Sequence, residues 1–385
     1  MNRLHDNLRH SGKHPIPLAF ADGARLLVLP EHGRLIGLYP AEGDANFLWT
    51  NPALDAAESS RLYFSRAGWS NPGGDRTWLA PELDLFIGDP RRPFETYAVP
   101  PALDPGNWKP VSAMSAEVIL ENRTRLRLLR AGRDVDVRLV KTYTPAVNPL
   151  RGSPADGAGV QYAGYALATT LELDPPPGKP VRLGVWNLLQ LPQPGTMLIP
   201  THVPTRPHVV FGTPAAGELT EAPGHARWNM APPGPDAKIG IKAKSLTGRA
   251  GHIRETGIPG IRDLVVREFS VGDERDYVDA LWEPPYETGW AFQACCVRNG
   301  GERFNELEYH APAVSPETGL LSGRDESRVW AFRGSAEAIR TVASVLLGLR
   351  GDCTVPCGSP LGIADQPITH CRCLPESALV SFPDL

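Results

Sequence analysis

The sequence predicts an all-β protein: a large antiparallel β-sandwich with one C-terminal helix. Three observations carry that expectation. Short runs that alternate apolar and polar residues recur along almost the whole chain, the pattern of half-buried antiparallel strands. Forty prolines and thirty-eight glycines, without periodic spacing, suit many turns and long connections between short strands. Only one segment has convincing helical spacing, and strands throughout with a single late helix mean all-β rather than βαβ.

The elements follow in order. "ARLLVLP" (24–30) and "GRLIGLYP" (33–40) are the first strands, and "AEVILE" (116–121) and "TRLRLLR" (124–130) come next. In the latter, Arg125, Leu126, Arg127 and Leu128 alternate strictly before Leu129 breaks the pattern. "VDVRLVKTYTP" (135–145), "GYALATTLELD" (164–174) and "VRLGVWNLLQLP" (181–192) continue the series. "KIGIKAK" (238–244), "DLVVREFSV" (263–271), "WAFQACCV" (290–297), "RFNELEYHAPA" (303–313) and "SRVWAFRG" (327–334) complete it. The helix is "SAEAIRTVASVLLGLRG": Ser335 is its N-cap, Ala338, Ile339, Val342, Val345 and Leu346 form its apolar stripe, and Gly351 ends it. The Pro-rich pieces at 98–106, 172–180 and 230–238 are rigid loops.

With 385 residues the chain is long for one domain but within reach of one large sandwich. No linker divides it and no repeat of 20–50 residues is visible, so residues 1–385 are expected to form a single domain. Hydrophobic residues make up 42% and charged residues 21%, enough for a substantial core. A formal net charge of −4 without a Lys/Arg tract argues against nucleic acid or an anionic membrane as partner. The N-terminus lacks an apolar signal region, and no run approaches a membrane span, so a soluble, cytoplasmic protein is expected. Cys295 and Cys296 read as small buried strand residues. Cys353, Cys357, Cys371 and Cys373, spaced C-x3-C-x13-C-x-C beside His370, have the ligand types for a structural zinc. The spacing departs from a zinc ribbon, so ordinary thiols or a disulfide are the default, and no metal or other cofactor is expected.

Four segments carry residues that packing does not ask for. In "NPGGDRTWLAPE" (71–82), Gly73 and Gly74 permit positive φ or close backbone approach. Asp75, Arg76, Trp78 and Glu82 supply charges, a planar donor fork and a flat ring, the mixture that holds sugars; a turn with a local ion pair is the plainer reading. In the 184–208 segment, Trp186 and Asn187 interrupt an apolar strand, and His202 and His208 follow. There a satisfied core asparagine with loop histidines is at least as good an account. "DALWEPPYETGW" (279–290) offers Trp282, Tyr286 and Trp290 as a stacking wall or, more commonly, as loop anchors. On the strand 303–313, Glu306, Glu308 and His310 share one face while Asn305, Leu307 and Tyr309 share the other. Carboxylates two residues apart, about 7 Å between Cβ atoms, perturb each other, so one can keep a proton while the other ionises. A solvated edge strand is the plainer alternative.

Together these segments resemble the galactose mutarotase-like superfamily, the β-supersandwich of aldose 1-epimerases. "HGRLIGLYP" (32–40) is similar to its N-terminal strand pair, and "GGDRTWLAPE" to a "GG-x-R-x-W-x-x-PE" pattern. "VWNL" (185–188) is similar to the aromatic-Asn-Leu of an epimerase strand, and "NELEYHAPAV" (305–314) resembles the late strand that bears the general base. The resemblance implies that Glu306 or Glu308 is the base and Arg76 a hydroxyl-binding donor. Where it would place the acid histidine, this chain has Leu183. His202 or His310 would then have to act from another strand. The expected function is a carbohydrate-active enzyme using Glu/His acid/base chemistry on a mono- or oligosaccharide. Epimerisation, glycoside hydrolysis and elimination all suit these residues, with Trp186, Asn187, Trp282 and Tyr286 among the binding groups. A glycan-binding protein that has lost the acid, or an interaction protein on the same fold, are the alternatives.

Overall fold

Each alternating run has one apolar face to bury, and two sheets made of such runs bury theirs against each other. The computed structural model describes residues 2–43, 45–174, 181–280, 288–298, 302–316 and 319–349. Helix α1 (Asn2–His10) precedes β1 (Ile16–Ala19), β2 (Arg25–Leu29) and β3 (Arg34–Tyr39). Helix α2 (Ala57–Ser65), β4 (Asp75–Ala80) and the short α3 (Glu82–Leu85) come next. Long strands follow: β5 (Lys109–Met114), β6 (Glu117–Leu128), β7 (Arg133–Pro145) and β8 (Gln161–Asp174). The middle of the chain forms β9 (Gly184–Pro192), β10 (Gly195–Pro200), β11 (His208–Phe211), β12 (Leu219–Ala222) and β13 (His225–Met230). Then come β14 (Ala237–Ile241), β15 (Arg249–Glu255), β16 (Ile261–Phe269), β17 (Phe292–Val297) and β18 (Phe304–His310). β19 (Ser322–Ser335) runs into α4 (Ala336–Leu347).

One sheet has the order β1-β2-β3-β4-β9-β18-β17-β14-β11, the other β12-β13-β10-β15-β16-β19-β8-β7-β6-β5. Their inner faces share one apolar core, in which Leu35, Leu79, Leu189 and Leu307 of the first sheet meet Leu120, Leu167, Val265 and Val329 of the second. Each such side chain contributes on the order of 1.5–3 kcal/mol by leaving water. Polar ties cross the same layer. Arg267 on β16 pairs with Asp75 on β4 at 3.0 Å, and the Tyr165 hydroxyl donates to Asp75 at 2.6 Å. The Tyr309 hydroxyl donates to Asp325 on β19. On the outer face of the first sheet, Leu8, Leu54 and Tyr63 cover Leu27, Leu29 and Ile36. The outer face of the central strands β4, β9, β18, β17 and β14 is left for other side chains. No helix among the described residues is long and apolar enough to cross a membrane.

The all-β sandwich with a C-terminal helix is what the structure shows, with differences in detail. The runs 116–121 and 124–130 are one strand, β6, because Glu121–Arg123 continue the ladder with β7. Segment 75–80, where the sequence announces no strand, is a buried strand between β3 and β9. Helices α1, α2 and the short α3 add to the one expected, and α4 ends at Gly348, in the left-handed region at φ 65°, rather than at Gly351. Its N-cap is as expected: Ser335 Oγ accepts from the Ala338 N–H at 3.2 Å.

Candidate active site

Gly73 and Gly74 start the site because no other residue fits there. Both have positive φ (99° and 81°), and a Cβ would lie 2.3 Å from the Trp49 carbonyl oxygen and 2.2 Å from that of Leu35. The chain is thereby pressed against its neighbours and delivered into β4, which pairs with β9 so that Trp78 lies opposite Trp186. Alternation then sends Arg76 and Trp78 to the outer face. β9 presents Trp186, Leu188 and Gln190 there, β18 presents Glu306 and Glu308, β17 Cys295, and β14 Lys238. These strands are neighbours in the order β4-β9-β18-β17-β14.

The result is a cavity of about 270 Å³ floored by Arg76, Trp78, Glu82, Trp186, Lys238, Cys295 and Glu306. Arg76 donates to Glu306 Oε1 at 2.9 Å and lies over the Trp78 ring, 4.0 Å from its centroid. Gln190 Nε2 donates to the same Glu306 oxygen at 3.1 Å. Lys238 stands 3.2 Å from Glu308 and 3.7 Å from Glu82, with its ammonium 4.4 Å from the Trp186 ring centroid. The Trp186 indole N–H donates to Glu308 Oε2 at 2.9 Å. Asp104, which accepts from Trp78 Nε1 and Arg34, holds the Trp78 ring from behind.

Burial sets the protonation. Glu308 is pushed up to about 7 by burial, against the pull of Lys238 and with help from Glu306 and Glu82. Burial also raises Glu82, again opposed by Lys238. The Lys238 ammonium is opposed by burial, yet Glu308, Glu82 and Asp279 together hold it above the ordinary lysine range. Burial takes His310 down to about 4, so its imidazole is neutral at pH 7. Oxygens of Glu306 and Glu308 and the Cys295 sulfur all lie within 4.8 Å of one another, a donor set that a metal ion could use. Arg76 and Lys238 already neutralise those carboxylates, which makes the place electrostatically poor for a divalent cation.

The expected residues divide by where these strands put them. Glu306, Glu308 and His310 are 5%, 0% and 2% exposed on a central strand, which overturns the solvated-edge reading. Of the three, only Glu306 lines the cavity. His310 lies beneath Trp186, its ring stacked at 5.3 Å, and its Nε2–H donates to Gln293 Oε1 at 3.0 Å. Arg76, Trp78, Glu82 and Trp186 line the cavity, and Arg76 pairs with Glu306 instead of a neighbour in sequence.

Asp75 and Asn187 do not belong to the cavity. Each faces the second sheet, Asn187 bonded to Thr77 at 2.6 Å and Tyr309 at 2.7 Å, because odd-numbered positions on β4 and β9 point inward. His202 is exposed, on a turn where its N–H donates to Ser245, and it does not line the cavity; His208 stacks on Trp290. Leu183 is buried in the core. Cys295 and Cys296 are buried free thiols. Trp282 and Tyr286, and Cys353, Cys357, Cys371 and Cys373, lie outside the described residues.

Sequence reasoning missed Lys238, Trp69, Phe94, Tyr97 and Gln190. Lys238 carried a signal: a lysine between Ala237 and Ile239 in an apolar strand must find an acidic partner. The others became neighbours only through folding.

No family model matches the chain, and no curated protein matches it. Several solved structures are similar. One is a galactose mutarotase-like protein from Lactobacillus casei, at 9% identity over 83% of this chain and 100% of that one, with a TM-score of 0.47. A second is an aldose epimerase homologue from C. elegans, at 11% identity over 84% and 99% of the two chains, with a TM-score of 0.43. The third, galactose 1-epimerase from Lactobacillus acidophilus NCFM, is 10% identical over 84% and 95%, with a TM-score of 0.40.

Proposed function

We propose that the chain is a carbohydrate-active enzyme that holds a sugar in the cavity above β4, β9 and β18 and moves protons there between paired carboxyl groups. The observation that carries the reading is the composition of the floor: two indole faces, Trp78 and Trp186, beside two carboxyl groups, Glu306 against the Arg76 guanidinium and Glu82 beside Lys238. Sugar rings lay apolar C–H faces on such indoles, while charged groups bond their hydroxyls. Glu306, held by the Arg76 cation, is the base. Glu82 lines the same cavity, is raised by burial, and has one oxygen, Oε2, without a hydrogen-bond partner, so it takes the part of the acid. Glu308 acts as a positioning residue through Lys238 and Trp186. One carboxyl group to take a proton and another to give one are what ring opening at an anomeric centre requires. Cleavage of a glycosidic bond requires the same pair.

A second reading, a glycan-binding protein without turnover, is favoured by one observation. No histidine among the described residues lines the cavity, and each lining carboxylate already has a cation beside it. A proton NMR time course with freshly dissolved aldoses and glycosides separates the readings. The enzyme accelerates anomeric equilibration or releases new reducing ends, and Glu306→Gln lowers that rate by about 10²-fold or more while sugar binding persists. Selective line broadening without any change in the anomeric signals moves the chain to the binding reading. Absence of both turnover and broadening, with Trp78→Ala indistinguishable from the parent, overturns the sugar site.

A further inference from the structure

The cavity has two zones of different chemistry. Its floor is charged and buried; its mouth is formed by Trp69, Pro93, Phe94, Tyr97, Phe211 and Val297. Three of these leave large apolar surfaces in solvent: Phe94 is 70% exposed, Trp69 43% and Tyr97 38%. They are arranged rather than scattered. Phe94 meets Phe211 edge-on at 5.7 Å, Tyr97 stacks on Phe86 at 5.6 Å, and Trp69 leans on Trp78 at 6.1 Å. A cluster of partly exposed rings around one opening marks a binding surface.

The polar atoms of the mouth decide what kind of group fits. Among the described mouth residues only Trp69 and Tyr97 carry any in their side chains, and both are engaged inward: the Trp69 indole N–H with Asp104, and the Tyr97 hydroxyl with Glu82. A second sugar unit placed there would surrender hydroxyl hydration without side-chain partners among the described residues in return. A flat apolar group would lose nothing and would gain ring contacts. We propose that the mouth is a subsite for an apolar, aryl-type substituent on the sugar, so that the ligand is a glycoside with a hydrophobic aglycone rather than a free sugar or an oligosaccharide. This rests on the sugar reading of the floor and goes further by assigning the rim.

Calorimetric titration of the full chain with methyl, phenyl and disaccharide glycosides of glucose and galactose, and with phenol alone, tests it. The expected result is that a phenyl glycoside binds about tenfold more tightly than its methyl counterpart, the size of one good ring contact. Phe94→Ala, a substitution at an exposed position, should remove that advantage, so that phenyl and methyl glycosides bind the variant equally. Equal affinity of methyl and phenyl glycosides overturns the subsite while leaving the sugar reading intact. So does a disaccharide that gains as much as the phenyl glycoside and keeps its gain in Phe94→Ala. Binding of phenol with no binding of any glycoside overturns the sugar reading itself, and the subsite with it.

Discussion

Glu308 has no exposed surface, and its carboxyl group meets an ammonium, an indole N–H and a neighbouring carboxylate in place of water. Burial dominates and lifts it from an ordinary 4.5 to about 7. A carboxyl group raised on folding favours the protonated native state. Its contribution to stability is therefore complete below about pH 4.5 and is lost as pH rises to about 7. Urea unfolding at several pH values should show stability falling across that window, with a shallower fall in Glu308→Gln; identical slopes in the two proteins would refute the shift. The sequence placed Glu306, Glu308 and His310 on one face because strand alternation is geometric. It did not show that Glu306 faces a cavity while Glu308 and His310 lie beneath indole and lysine. Depth on a sheet face is set by what other strands lay over it.

At the scale of elements, β18 sits between β9 and β17, and that position turns a row of two acids and a histidine into buried groups. Strand β4 was missed for a related reason. Its inward positions hold Asp75 and Thr77, which bond Arg267 and Asn187, so the apolar alternation that announces a strand is absent. Helices α1 and α2 have nine residues each and weakly apolar sequences, and they exist through packing on β2 and β3 rather than through propensity. Helix α4 was legible because its cap and stripe are local features. Replacing Ser335 by alanine removes the acceptor of the Ala338 N–H and should cost about 1 kcal/mol in urea unfolding. Gly348→Ala, at φ 65°, should cost a similar amount, about 1 kcal/mol, since only glycine adopts that conformation without penalty. A change near zero at either position would mean that the tertiary contacts of the helix, not its caps, hold its ends.

For the whole molecule, the ion pair Asp75–Arg267 spans the two sheets, with Tyr165 donating to the same carboxylate. Asp75 sits on the same strand as Arg76 and Trp78 but on its other face, so it belongs to stability and not to the ligand. Asp75→Ala leaves a fully buried guanidinium without its anion and should cost about 3–5 kcal/mol. Adding Arg267→Met should recover much of that loss, because the pair then leaves no uncompensated charge. Sugar affinity should stay unchanged in any variant that remains folded, measured by titration below its unfolding midpoint. A loss of affinity comparable to that in Trp78→Ala would place Asp75 in the site instead.

The sequence by itself determined the strand-rich architecture, the C-terminal helix, and which residues of each strand share a face, because periodicity and capping are local properties of a chain. It also brought Arg76, Trp78, Glu82, Trp186 and Glu306 forward, since charged and aromatic residues in apolar strands demand partners. Tertiary structure alone decided who those partners are. Arg76 finds Glu306 across 230 positions and Lys238 finds Glu82 and Glu308, pairings set by the order of strands in a sheet, which no local pattern encodes.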